Sequence, residues 1–409
     1  MVNTKIGIEK INLYLLPLAA FFILISTAAV NFFLILAVFT AFIICIKNNT
    51  LGEIYQNDFF FKICFLIFFL FLISSFYSIA DTNNIIETLK KYIKIIYIPF
   101  IYFYLQTYRN KKLVIRYFLI GTTFILLLSY IKYFNLINFE DFYQNIKFLS
   151  MTGIDQNIIN SRSTVFQNYI IQGIVLSFYS FLCLYKAQES SNYFLYLLSI
   201  LGFFHVIFIN DSRTAYIIIF FLTLFSFYKV ITNNKIRLIF FSIVIIIMTS
   251  NISNNFLNRV NMINYDINLI KSENYSSSIG KRFIWSKIGI ENLLNEPILG
   301  NGVGSFKKSA QYYFKNYNIR IKSDSDFITN NPHSEFISIS SQLGLIGLLS
   351  FFIFLYLLLI NHGGPMSVVT FIIVFISSFF NSVFYDNVLG LFLIILISLS
   401  YKNKVKIKN

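Results

Sequence analysis

The sequence predicts an all-α polytopic membrane protein with about 12 transmembrane helices. Three observations carry this. Hydrophobic residues make up 56% of the chain. Charged residues make up 12%, against about 25% in an ordinary soluble domain. The mean hydropathy is +0.68. A chain of 409 residues with so few charges cannot cover a water-facing surface, so its apolar runs face lipid. The net charge of +15 does not make it a nucleic-acid-binding protein. Its lysines and arginines cluster in short connections between apolar runs, as the positive-inside rule expects.

A span needs roughly 20 apolar residues. Runs of this kind lie at 11–27, 30–46, 59–79, 93–107, 113–133, 167–185, 192–209, 214–230, 237–250, 342–360, 366–382 and 387–401. Lys5 and Lys10 precede the first run and no small-residue cleavage site follows it, so it reads as a retained anchor. Lys47, Arg109, Lys111, Lys112, Arg116 and Lys186 fall in even-numbered connections, and Lys402, Lys404, Lys406 and Lys408 in the tail. That bias puts both termini in the cytoplasm. Lys90, Lys91 and Lys94, in an expected outer turn at 81–94, are the exception. The chain then divides into residues 1–250, with nine transmembrane helices and a short outer loop at 135–166; one large outer loop at 251–333; and residues 334–409, with the last three helices and a cytoplasmic tail. Cys45, Cys64 and Cys183 are odd in number and scattered through apolar runs, so neither a disulfide framework nor a metal site is expected.

The polar residues of interest fall on one side of this topology. In the large loop, Ser276–Leu294 has helical spacing, with Ile279, Phe283, Ile284, Ile288 and Leu293 recurring every three to five residues. Pro297 stops the helix, and Gly300, Gly302 and Gly304 follow. Such a run lets backbone approach a ligand closely. It lacks the Lys-Ser/Thr ending of a P-loop, and a plain turn after the helix has the same signature. Arg282 and Trp285 are three apart and share a helix face. Trp285 reads as an interfacial anchor or as a platform for a sugar ring. Arg213 and Arg162 each precede a span. Singly, each reads as an arginine reaching for lipid headgroups, or for Arg213 as a partner of Asp211. Together with Arg282 and a histidine on the same face they fit phosphate, whose geometry a guanidinium fork matches. The histidine is His333, delivered by Asn330-Asn-Pro-His333-Ser334 to the start of a long apolar helix. A helix N-terminus lowers an imidazole pKa and favours the neutral form a general base needs. His205 and His362 read as structural. Asp324-Ser-Asp326 and Glu140–Asp141 are weak as metal-ligand patterns, so no metal is expected.

His333-Ser334, nine residues, then Gly344-Leu-Ile-Gly347 resembles the signature of the bacterial O-antigen ligase family. Arg282-x-x-Trp285, Pro297, the Gly300/Gly302/Gly304 run, Ser212-Arg213 and the Arg162–Asn168 segment resemble its other motifs. The resemblance implies a GT-C-like fold with a helical periplasmic loop domain, in the bacterial inner membrane with a periplasmic active site. It implies transfer of a glycan from undecaprenyl diphosphate to a lipid A–core acceptor, by inversion, without metal or cofactor. It also implies roles. His333 deprotonates the acceptor hydroxyl, and Arg282 and Arg213 act on the diphosphate. Arg162, Trp285, Gly300, Gly302, Gly304 and Ser334 line the substrate. An O-antigen polymerase and a protein O-oligosaccharyltransferase share the signature. A second outer loop far longer than the first favours the ligase over the polymerase, and a short tail disfavours the oligosaccharyltransferase. A polysaccharide transporter or flippase is the non-enzyme alternative, disfavoured by the few ionisable residues inside the spans.

Overall fold

The computed structural model describes residues 13–47, 59–106, 108–139, 164–230, 257–317, 327–360 and 364–401. Among these every regular element is helical: α1 (Leu13–Phe22), α2 (Thr27–Lys47), α3 (Phe59–Ser74), α4 (Thr82–Tyr92), α5 (Lys94–Tyr104), α6 (Tyr108–Tyr133), α7 (Tyr169–Ser190), α8 (Tyr193–Phe204), α9 (Arg213–Phe225), α10 (Leu257–Lys271), α11 (Ser278–Asn295), α12 (Phe306–Tyr317), α13 (Glu335–Ile360), α14 (Pro365–Phe380) and α15 (Asn387–Ser400). Helices α8 and α9 each end in a wider π turn, at His205–Ile209 and Ser226–Val230.

Four helices are long and apolar enough to cross a membrane: α2, α6, α7 and α13. Shorter apolar helices accompany them: α1, α3, α8, α9, α14 and α15. The chain is therefore a multi-pass membrane protein. The expected ninth span, 237–250, lies outside the described residues, as do Glu140, Asp141, Arg162, Asp324, Asp326 and His362. The expected fourth span, 93–107, is corrected. Helix α5 has only 11 residues, about 17 Å of helix, and Pro99 lies inside it. The outer turn expected at 81–94 is instead the amphipathic helix α4, and the αR residue Ile93 joins it to α5.

Burial sorts the bundle. Helix α15 is apolar all round and buried along nearly its whole length, packed on α5, α14 and α2. Helix α7 is also largely buried and packs on α8 and α9. Helix α2 is buried only along Val30, Leu34, Ala37, Ala41 and Cys45 and turns its other faces outward. Side-chain caps set several helix starts. Asn168, Ser212, Ser277 and Asp386 accept from the backbone N–H groups of Ile171, Ala215, Gly280 and Leu389. Each such cap stabilises its helix by about 1 kcal/mol. Cys45, Cys64 and Cys183 are buried and free.

A second, smaller core sits at the end of the bundle. Ile284, Trp285, Ile288, Phe306, Ala310, Phe314 and Phe327 build it from α11, α12 and the chain entering the His333 loop. The large loop is thus a packed helical unit lying against α13.

Candidate functional site

Gly344 decides the geometry. It sits inside α13 at φ 61° and ψ −154°, a conformation open in practice only to glycine. The helix breaks there and folds sharply. The Phe336 ring centroid lies 5.4 Å from that of Phe351, edge to face, and 5.6 Å from that of Phe352. A straight helix would hold residues 16 apart about 24 Å from each other along its axis. The expected span 342–360 is therefore the second arm of α13, residues 345–360, and the first arm, 335–343, carries the site.

A helix break strands backbone groups on both sides. Here the loop after α11 takes them up. The Leu345 and Ile346 N–H groups donate to the carbonyls of Pro297 and Ile298, at 2.8 and 3.4 Å. The Asn301 and Gly302 N–H groups donate to the carbonyls of Ser341 and Gln342, at 3.0 and 2.9 Å. Loop and helix are spliced. A Cβ on Gly344 would strike the Ile298 carbonyl oxygen, and one on Gly300 would sit 2.6 Å from the Gly344 nitrogen.

The glycine run forms the turn after α11 and packs on the rest of the chain. Gly300, Gly302 and Gly304 approach the protein's own backbone. The Gly300 N–H goes to Glu296, Val303 to the Ser74 hydroxyl at 3.1 Å, and Gly304 to the Gln342 side chain at 2.7 Å. Ser78 Oγ donates to the Val303 carbonyl at 2.7 Å, closing the loop onto the turn between α3 and α4.

His333 stands two residues before α13, at φ 52°. Its N–H donates to Asn331 Oδ1 at 2.9 Å, and the left-handed turn this makes presents the ring to α11. The imidazole lies 5.1 Å from the Trp285 ring, tilted by 33°. Trp285 is 6% exposed and its Nε1 donates to the Phe327 carbonyl at 3.0 Å. It is a wall of the site, and the interfacial-anchor reading does not hold.

The charges converge on the same point. Burial first, and the Arg282 charge second, lower the His333 pKa to about 4. The imidazole is thus neutral at pH 7, held so by its surroundings more than by the helix end. Arg282 is itself pushed below its usual range by burial and by the Arg213 charge, against a favourable contribution from Tyr169. Arg213, Arg282 and His333 therefore form one electrostatic cluster. Arg213 opens α9 and pairs with Asp266 of α10, Nη1 to Oδ2 at 3.8 Å. Ser334 turns away: it is buried, and its hydroxyl donates to the Ser378 carbonyl at 3.2 Å. His205 is buried, bonded to Ser129 Oγ at 2.6 Å and stacked edge-on to Tyr130, as a structural histidine.

A buried polar frame beneath His333 was not read from the sequence. Glu335 is 0% exposed; its N–H donates to the Asn381 carbonyl and its Oε2 accepts from the Phe384 N–H, both at 3.1 Å. Tyr92 and Ser338 share a 2.9 Å hydrogen bond, and Gln342 Nε2 donates to Ser338 Oγ at 2.9 Å. Lys94 Nζ reaches the Asp386 carbonyl at 2.6 Å. Asn330 Nδ2 donates to Asn84 Oδ1 at 2.9 Å, tying the His333 loop to α4. The available signal was the helical spacing of Ile85, Leu89 and Tyr92, which makes 82–92 a helix with a face to bury.

No curated protein matches the chain. A protein-family model described as O-antigen ligase matches residues 197–352. That stretch takes in Arg213, Arg282, Trp285, the spliced glycine loop, His333 and Gly344, so the similarity to the O-antigen ligase family falls on the residues that assemble the site.

Proposed function

We propose that this protein transfers a glycan from undecaprenyl diphosphate to a lipid A–core acceptor, on the periplasmic face of a bacterial inner membrane. The carrying observation is the neutral imidazole of His333 against the Trp285 ring and in the field of Arg282, which in turn feels Arg213. Arg213 and Arg282 take the diphosphate, with Arg162 as a third candidate. The acceptor hydroxyl attacks the anomeric carbon, the bond to the diphosphate oxygen breaks, and His333 takes the hydroxyl proton. The diphosphate leaves with the electron pair, and the arginines stabilise its charge. The family domain supports an O-antigen ligase or polymerase type of chemistry.

The electrostatics add an order of events. Without the donor, burial first and the Arg282 charge second hold the His333 pKa near 4, where an imidazole is a weak base. A bound diphosphate offsets the Arg282 share of that depression and moves the pKa upward, while the larger share from burial stays. His333 then becomes a stronger base once the donor is in place.

The test is deletion of the gene followed by gel analysis of lipopolysaccharide. Lipid-linked polymer that accumulates without reaching the core is the expected result. Core carrying one repeat unit identifies a polymerase instead. An unchanged profile overturns both.

A further inference from the structure

Helices α11 and the first arm of α13 run side by side in parallel. Trp285 meets His333, Gly289 packs against Ile337, and Ile298 meets Gly344. Arg282, Trp285, Gly289 and Leu293 recur at helical spacing, so they form one stripe of α11 facing that arm. The seam is charged at one end and apolar at the other.

At its apolar end the fold of α13 opens a groove of about 260 Å³. Leu293, Phe336, Ile337 and Ser340 line it from the seam, and Phe352 and Phe375 from the bundle. Its lining is almost wholly apolar carbon. The groove exists because Gly344 turns the two arms of α13 toward each other and Ser340 leaves a gap in the first. From Arg282 to Leu293 is 11 residues of continuous helix, about 16 Å.

We propose that this groove binds the polyisoprenoid tail of the lipid-linked donor, a few isoprene units beyond the diphosphate held at Arg282 and Arg213. The ligand class follows from the seam. A diphosphate at the cationic end directs its own lipid along the stripe, and a flexible, methyl-branched chain fills an aromatic-lined slot without asking for a hydrogen bond. This rests on the glycosyl-transfer reading above and goes beyond it by assigning the residues that select the lipid.

The experiment uses the full-length protein in detergent and two synthetic donors with the same glycan diphosphate. One carries a full-length polyisoprenoid tail; the other has a tail too short to reach Leu293. Ser340→Phe fills the groove. It should raise KM for the long-tailed donor by about tenfold, the loss of about two buried methylenes. It should leave kcat for that donor, and both constants for the short-tailed donor, unchanged. Phe379→Ala, at a half-exposed ring bordering the groove, removes wall and should weaken the long-tailed donor alone. Equal changes for both donors, or none, show a groove filled by ordinary membrane lipid and overturn the proposal by itself. A long-tailed effect that follows the acceptor's acyl chains instead also overturns it. If the unmodified protein transfers from neither donor, the glycosyl-transfer reading fails and takes this one with it.

Discussion

Gly344→Ala tests whether the break in α13 builds the site. The backbone at φ 61° and ψ −154° costs a non-glycine residue about 1–3 kcal/mol. The new Cβ would meet the Ile298 carbonyl and sit 2.8 Å from the Gly300 nitrogen, so one strand of the splice must shift. Four backbone hydrogen bonds cross that splice, each contributing about 1 kcal/mol net. Losing half of them together with the strain gives about 3–5 kcal/mol. A loss of that size straightens the helix locally, parts Phe336 from Phe351 and Phe352, and draws His333 from Trp285. Expression and membrane insertion should hold, because the arm 345–360 is intact. Transfer should fall by at least 10²-fold, the cost of a misplaced reacting group. The assay is transfer by purified protein, paired with a melting curve in detergent. Gly364→Ala is the control, because a Cβ there meets nothing within 4 Å. Full activity and an unshifted melt for Gly344→Ala would show that the loop does not depend on glycine and refute the argument.

Other outcomes follow from the same geometry. His333→Ala should insert normally and lose transfer by about 10²–10⁴-fold, whereas His205→Ala should cost about 1–3 kcal/mol of stability by removing a buried hydrogen bond to Ser129 and keep its turnover. The acid limb of kcat/KM should fall near pH 4, well below an ordinary histidine, and the limb of kcat should lie higher because bound diphosphate relieves the Arg282 field. Stability should follow the same group. Its folded pKa of about 4 lies below the unfolded value near 6.5, so the unfolded state binds the extra proton between those limits. The melting temperature should fall as pH drops through that window, and His333→Ala should flatten the slope. Arg213→Ala and Arg282→Ala should raise the donor KM and lower kcat, with Lys at either position restoring only part, since a point charge cannot reproduce a bidentate fork. Transfer should survive a chelator; loss reversed by a divalent cation would bring Glu140, Asp141, Asp324 and Asp326 back as ligands.

The helices were legible where apolar runs were long and their ends marked. Ser276 and Pro297 bounded α11 within two residues of where the structure starts and ends it. His333 was legible because its spacing to Gly344 is itself the mechanical unit, an arm of fixed length ending in a break. What was lost had physical reasons. A run of glycines says that backbone comes close to something, and spacing cannot say whether that is a ligand or another strand of the chain. Lys94 sat in a basic triplet that looked like a surface turn, and only tertiary packing shows its ammonium folded back onto the Asp386 carbonyl. Glu335 drew no attention as a single acid beside the His333 motif, yet it is fully buried and holds the corner between α14 and α15. Ser334 was placed beside a ligand by its motif position, but the left-handed turn at His333 sends the two neighbours to opposite sides.

The first arm of α13 is a beam with an abutment at each end. The splice fixes it at Gly344, and Asn381 and Phe384 fix it at Glu335. His333 overhangs the second abutment by two residues, so it has little freedom to swing toward or away from a substrate. Room for two bulky lipid-borne reactants must then come from parts that are not built in. Helix α10 is the candidate among the described residues: it exposes Met262, Tyr265 and Ile267, and its ion pair to the bundle is the 3.8 Å contact from Asp266 to Arg213. An anion arriving at Arg213 competes for that tether. The molecule thus joins an arm braced at both ends to a helix whose ion pair sits on the arginine that the proposed donor would meet.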